Sequence, residues 1–470
     1  MMSRSAFLLA AVAMLPLAAC APNLGTAPTP RTAASLAATR SLPDEGGQWP
    51  GDGWWRRYGD TQLDQLIAEG LAGAPDIVSA AARLERAEGV ARTAGADRGP
   101  TLGAEGSAGK IKQSYNNGFP REFLPQGWRN TANLDLRANF DLDLWGRNRA
   151  RLRAALRDTD AARVEAAQAR ITLAAAIADA YADLAERYAE RDVAEQTLRL
   201  QQDTAGLVSD RVRNGLDTEG QRRQAEAQVP AARADLADLD EQIATTRTRI
   251  AALMGAGPDR GLTITRPVLS ALTPLTLPAS AGIDLVGRRP DIVAARARLE
   301  AQAERIKVAR TAFYPDVSLS GLLGLQALGF GNVLKSGSIY GNAGPAVSLP
   351  IFDDGRRAGD LRVARAEYDA AVADYDRTLI QALQQVADAV TSRNALAVQL
   401  REVRASLDDN ERAFAIARLR YQGGLSTYLD VLSAEQAVIV ARRRDADLSA
   451  RAFSLDVALV RALGGGFAGA

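Results

Sequence analysis

LIQALQQVADAVTSRNALAVQLREVRASLDDNERAFAIARLRYQGGLST, Leu379 to Thr427, contains no proline and no glycine until Gly423. Large or apolar residues recur every seven: Leu379, Val386, Leu400, Leu407, Phe414 and Tyr421, with Arg393 as the one break. A second series, Leu383, Val390 and Ala397, lies four residues on, which makes the seam of a coiled coil. Extended back to Arg356, the helix is about 100 Å long at ~1.5 Å per residue. Gln422-Gly423-Gly424-Leu425-Ser426-Thr427 ends it. The glycines suit the left-handed turn that stops a helix, and Ser426 or Thr427 suits the cap of the next, which runs to about Leu463.

The pattern occurs twice. Asn148 to Arg213 carries Ile177, Leu184, Leu198, Ala205 and Val212 at the same spacing, with Arg191 as its break. Asn214-Gly215-Leu216-Asp217-Thr218 is the matching turn, and Ala225-Glu226 matches Ala434-Glu435. Upstream, Pro75-Asp76-Ile77-Val78 answers Pro290-Asp291-Ile292-Val293, and Arg83-Leu84-Glu85 aligns with Arg298-Leu299-Glu300 without a gap. The chain is a tandem duplication. Its parts are a signal over 1–19, an extended tether over 20–50, a first repeat over 51–254, a linker or belt over 255–286, a second repeat over 287–463 and a disordered tail over 464–470.

After each closing proline, Pro100 and Pro315, the period changes to two. Leu134, Leu136, Ala138, Phe140, Leu142 and Leu144 alternate with polar residues, at a length of about eleven that suits a tilted membrane strand. Val317 to Leu325 and Ala343 to Ile351 repeat the pattern, and Leu102 to Ala108 is its weakest member. Four strands cannot close a barrel, so a spanning sheet demands more than one copy. Lys110–Asn130 and Gln326–Ile339 read as outward loops. The aromatics near the strand ends resemble interfacial girdles.

The chain of 470 residues has net charge +1, one cysteine and no histidine. Near-neutral charge gives no reason to expect nucleic acid as a partner. Without histidine or a free thiol, the commonest general base and transition-metal ligands are missing, so neither an enzyme nor a cofactor site is expected. Arg4, the apolar run Ala6 to Leu17 and the small residues after it form an export signal. Leu17-Ala18-Ala19-Cys20 resembles a bacterial lipobox, which implies cleavage before Cys20 and acylation there. Ala21, in place of Asp, favours the outer membrane.

Together these features resemble the TolC-like outer-membrane efflux proteins, in the lipoprotein branch that serves resistance-nodulation-division multidrug pumps. The motifs are Trp54-Trp55 with Tyr58-Gly59-Asp60, Arg288-Arg289-Pro290-Asp291-Ile292, Phe140 to Gly146, Leu349-Pro350-Ile351-Phe352, and Tyr421 with Gly424 and Leu429-Asp430-Val431-Leu432. The resemblance implies a mainly α fold with a membrane β-barrel. A homotrimer would build a twelve-stranded barrel in outer-membrane lipid and a twelve-helix α-barrel reaching into the periplasm. It implies a passive exit duct for drugs or other small solutes, joined to an inner-membrane pump by a periplasmic adaptor. The tips Gly215, Leu216, Thr218 and Gly424, Leu425, Ser426, Thr427 would meet the adaptor, and the leucines are the informative ones because a turn does not need them. Tyr421 matches a tyrosine that helps hold the closed gate, and Asp430 an acidic residue of a charged ring. The family's further acidic positions are Ser433 and Gln221 here, so one ring, at Asp430, is expected. The rival readings are a protein-secretion or metal-efflux conduit of the same fold, or a coiled-coil periplasmic lipoprotein without a channel.

Overall fold

The computed structural model describes residues 22–38, 40–268, 275–278 and 281–468. The signal and the acylation expected at Cys20 lie outside the described residues. The helices and strands run α1 (Thr61–Gly73), α2 (Pro75–Ala96), β1 (Thr101–Ile111), β2 (Arg129–Asp141), α3 (Arg147–Arg213), α4 (Glu219–Leu253), α5 (Pro258–Leu262), α6 (Ala281–Arg288), α7 (Pro290–Thr311), β3 (Asp316–Leu328), β4 (Ile339–Ser348), α8 (Arg356–Gln422) and α9 (Tyr428–Ala462). The duplication is plain in the lengths. α3 and α8 both have 67 residues, and α4 and α9 both have 35. α2 and α7 each open on a proline, whose missing N–H is no loss in a first turn. The second repeat begins earlier than 287. α6 crosses that boundary as the counterpart of α1, and its Leu285 is fully buried.

The chain folds as two compact units. One gathers residues 22–30 with 84–161 and 295–375. It holds an antiparallel sheet in the order β1-β2-β3-β4. Register sets Leu134, Leu136, Ala138 and Phe140 opposite Leu325, Leu323, Gly321 and Leu319, so one face is apolar across both repeats. β2 stops at Asp141, short of Leu144. Asp143 takes a φ of 45° and its carboxylate accepts the N–H groups of Asn148 (2.9 Å) and Arg149 (3.0 Å), turning the chain into α3. β4 lies over Ile339–Ser348, ahead of the expected Ala343 to Ile351, because Pro350 has no N–H to give a ladder. No described helix is long and apolar enough to cross a membrane.

The other unit gathers 31–83, 162–294 and 376–470. Its core packs Trp54, Tyr58, Leu63, Leu66 and Ile67 on Ile177, Tyr181, Leu184, Ile250, Phe453 and Val457. The tryptophans of the motif are therefore packing residues. Tyr58 donates to the buried Asp456 at 2.8 Å, and Arg57 pairs with the same carboxylate at 3.2 Å. Tyr181 donates to Asp60 at 2.6 Å, while Asp60 caps α1 by accepting from Gln62 N–H.

The two breaks in the heptads are functional joints. Arg191 pairs with Glu195 and Asp240. Arg393 donates to Glu45 at 2.5 Å and to the Leu275 carbonyl at 2.6 Å, while Glu45 also accepts from Leu277 N–H at 2.8 Å. The Arg393 hydrogen bond holds the Glu45 carboxyl below its ordinary range. The segment expected as an extended tether is strapped down along its length. Arg31 N–H donates to Asp376 in this unit, and in the other Arg365 donates to the Thr26 carbonyl. Its proline-rich composition allows no helix longer than the single 3-10 turn at Ala33–Ser35 and leaves carbonyls free for arginines. The expected disordered tail is also corrected. Leu463, Gly464 and Gly465 are buried, and a Cβ on Gly465 would strike Ile171 at 2.2 Å.

Arg393→Leu completes the apolar series yet should destabilise the fold, by about 1–2 kcal/mol, because Glu45 and the Leu275 carbonyl lose their partner. A higher thermal midpoint in the leucine variant, followed by circular dichroism, would contradict this account of the strap.

Candidate functional site: the paired hairpin tips

Each long helix ends in the same way. Gly215 and Gly424 both take a φ of 73°, a conformation that side chains disfavour. Gly215 N–H donates to Val212 and Leu216 N–H to Arg211; Gly424 N–H donates to Tyr421 and Leu425 N–H to Arg420, all between 2.8 and 3.0 Å. This pair of bonds closes a helix with a left-handed glycine and usually tucks the next residue back onto the helix. Here Leu216 and Leu425 stay 62% and 72% exposed. Turn geometry therefore accounts for the glycines and leaves the leucines free for contact.

The next helices start on matched caps. Thr218 N–H donates to Gln221 Oε1 at 2.7 Å, and Gln221 N–H to Thr218 Oγ1 at 3.3 Å. Thr427, not Ser426, is the cap of α9. Asp430 Oδ2 accepts from Thr427 N–H at 2.8 Å and from Thr427 Oγ1 at 2.9 Å. These bonds hold the Asp430 carboxyl below the usual carboxylate range. Gln221 and Asp430 are thus the same capping position in the two repeats. Asp430 is nonetheless exposed, free to face an axis as well as to cap.

The two tips are tied by residues of unlike type. Tyr421 is fully buried, and its hydroxyl donates to the Asp217 carboxylate in the opposite turn. Arg211 Nε donates to the same carboxylate at 2.7 Å, another of its nitrogens donates to the Tyr421 carbonyl at 2.8 Å, and its guanidinium lies 4.3 Å from the centre of the tyrosine ring. Burial, then the Asp217 carboxylate, pushes the Tyr421 hydroxyl up, so it remains a donor at neutral pH. Sequence reading had singled out Tyr421 but neither Arg211 nor Asp217. The signal was available: Asp217 stands where the second turn has Ser426, and Val212 where the second helix has Tyr421. Behind the tie, Val208, Phe414, Tyr421, Tyr428 and Val431 form one buried cluster. Glu435 is buried too, accepting from Thr204 Oγ1 at 2.7 Å, and burial pushes its carboxyl up.

Among the described residues, Glu186, Glu190 and Asp447 are the carboxylates grouped closely enough to share an ion. Arg187 already donates to Glu190 at 2.6 Å, and burial raises the Glu186 carboxyl toward its neutral form.

The sequence profile of the outer membrane efflux protein family matches residues 66–256 and 284–465, more than half of the chain. The chain is 36% identical over 340 residues to the fusaric acid resistance protein FusA of Burkholderia cepacia, covering 70% of this chain and 62% of that relative. It is 29% identical over 427 residues to the multidrug resistance outer membrane protein MdtP of Escherichia coli (strain K12), covering 89% of this chain and 87% of that one. The solved structure of the outer membrane protein VceC from Vibrio cholerae matches with a TM-score of 0.84 at 42% identity, over 89% of this chain and 100% of that chain. The fold expected from the repeat, mainly helical with a small sheet and TolC-like, stands on these matches.

The caps make an internal control. The folded pKa of Asp430 lies below its unfolded value of about 4, so its capping contribution is present above that pH and lost as pH falls through the folded value. Gln221 does not titrate. Amide-exchange protection, corrected for intrinsic rates, should fall at the start of α9 between pH 6 and pH 3 (roughly, the carboxylate range) and hold at the start of α4. Equal behaviour of the two helix starts, or the same fall in Asp430→Asn, would count against the cap.

Proposed function

The chain belongs to the outer membrane efflux protein family, and on that premise we propose that it is the outer-membrane exit duct of a tripartite efflux pump. It conducts drugs or other small solutes passively from a periplasmic adaptor and an inner-membrane pump of the resistance-nodulation-division type. The observation that carries the reading is the sheet. It is apolar on one face over all four strands, predominantly polar on the other, where Leu322 and Leu328 are the exceptions on β3, and unpaired at both outer edges. Such a sheet suits a barrel wall completed by further copies, and three copies would give twelve strands. Acylation at Cys20 would anchor each copy to the membrane, and the strap from Thr26 to Glu45 would carry that anchor onto the folded chain.

In this reading the tips are the pump-side end. Exposed Leu216 and Leu425 are the adaptor contacts, on turns that Gly215, Thr218, Gly424 and Thr427 shape and Ser426 completes. Tyr421, Asp217 and Arg211 hold the second hairpin against the first and keep the entrance closed. Opening then requires the hydroxyl and guanidinium bonds to Asp217 to be exchanged for water or adaptor groups. Asp430, exposed and ionised, contributes one carboxylate per copy to a ring that draws cations and repels anions.

Single-channel recording of the acylated protein in planar bilayers, with a cross-linked sample beside it, tests the duct directly. Discrete pores from a trimer are expected. A non-conducting soluble oligomer after removal of the anchor would instead make the sheet an ordinary periplasmic one. Within conducting channels, Tyr421→Phe should lengthen open times, and Asp430→Ala should relieve block by divalent cations. Block unchanged in Asp430→Ala would remove the ring from the account.

A further inference from the structure

The polar face of the sheet carries a group that the gate does not use. One cross-strand row runs through all four strands: Glu105 opposite Asp135, Asp135 opposite Gly324, Gly324 opposite Tyr340. Two carboxylates face each other in it, an arrangement that is unfavourable without compensation. Arg137, two residues along β2 on the same face, supplies the compensation. Its guanidinium lies 3.4 Å from Asp135 and 3.7 Å from Glu105.

Asp135 is held from the other side as well. Tyr340 reaches across β3 and donates to Asp135 Oδ1 at 2.6 Å. The reach passes directly over Gly324. A Cβ there would stand 2.4 Å from Asp135 Oδ1 and 2.7 Å from the tyrosine ring, so glycine is what lets the two meet. Asn133 completes the carboxylate's surroundings from 3.4 Å. The result is a graded exposure: the Asp135 side chain is 2% exposed, while those of Arg137 and Glu105 are 59% and 70% exposed. Water on this face meets the arginine and the glutamate, and the aspartate beneath holds the arginine still.

We propose that Arg137 and Glu105 determine the charge preference of the outer-membrane part of the duct, with Asp135 and Tyr340 as the residues that position Arg137. This rests on reading the sheet as a barrel wall, whose polar face lines water. In that setting one guanidinium and one carboxylate from each copy stand on the inner surface in a low-dielectric frame, where fixed charges bias the passage of mobile ions. With Asp135 beneath them, each copy sets two carboxylates against one guanidinium, so the wall carries a net negative charge at this level and would favour cationic over anionic solutes.

The test is the zero-current potential of reconstituted full-length channels under a potassium chloride gradient. Glu105→Gln should shift it toward anion preference and Arg137→Gln toward cation preference, while Arg137→Lys, which keeps the charge, should restore the wild-type value. Tyr340→Phe changes no charge, yet should also move the potential if Asp135 positions Arg137. A purely structural role for Tyr340 would alter the heat stability of the oligomer alone, and that result would overturn the positioning part. Identical potentials for wild type, Glu105→Gln and Arg137→Gln at normal conductance would overturn the inference and leave the duct standing. Absence of conductance in the wild type would instead overturn the duct.

Discussion

Backbone groups in hydrocarbon have no water to fall back on, and each one left unpaired costs several kcal/mol, of order 2–7. The sheet of this chain pairs strand to strand and then stops, with β1 and β4 each bonded on one side only. Its apolar face is continuous from Leu102 and Ala104 on β1 to Ala343 and Val347 on β4, so water cannot satisfy the edges from that side. In the proposed duct, assembly of a barrel is then part of folding, and contacts within the sheet hold the strands at the register that assembly needs. Tyr340 over Gly324 does this for the edge strand β4, whose own ladder is weakened by Pro345.

A second theme is the work given to arginine. Lysine is scarce and histidine absent, and the joints between distant segments are made by guanidinium groups that serve two partners at once. Arg393 joins the strap to the linker, Arg211 joins the two turns, Arg137 bridges β2 to β1, and Arg147 spans Asp141 and Asp316 from opposite repeats. A planar fork with five donors holds two partners in a fixed geometry, where an ammonium group is a compact charge on a flexible stem with freely rotating donors.

The helices, the turns and the strand pairs were legible because each has a period or a breaker that a single chain displays. The joints were less so. Arg393 and Arg191 interrupt the heptads, and the interruption is visible; Glu195 lies one helical turn from Arg191, but Asp240, Glu45 and the Leu275 carbonyl lie dozens or hundreds of residues away and carry no local signal. Asp217 was passed over because a polar residue in a turn needs no further explanation, and only the buried hydroxyl of Tyr421 supplies one. The alternation through Leu144 ran past the end of β2 because a capping aspartate fits the polar places of a strand as well as those of a helix start. Composition misled at the glycine tail, and at the strap it showed the extended chain but not its anchors. Both lack helix or strand signals, yet both are held by side chains or backbone of other segments.

The tie at the tips joins positions that the duplication made equivalent and later change made different. Tyr421 stands where the first repeat has Val212, and Asp217 where the second has Ser426. An ancestral chain with one repeat would have presented the same hairpin everywhere around a ring, and every hairpin would have been obliged to behave alike. With two copies in one polypeptide, one can serve as the fixed jamb and the other as the door. In the proposed duct, the doubled repeat would give the entrance two unlike hairpins and so a direction in which to swing.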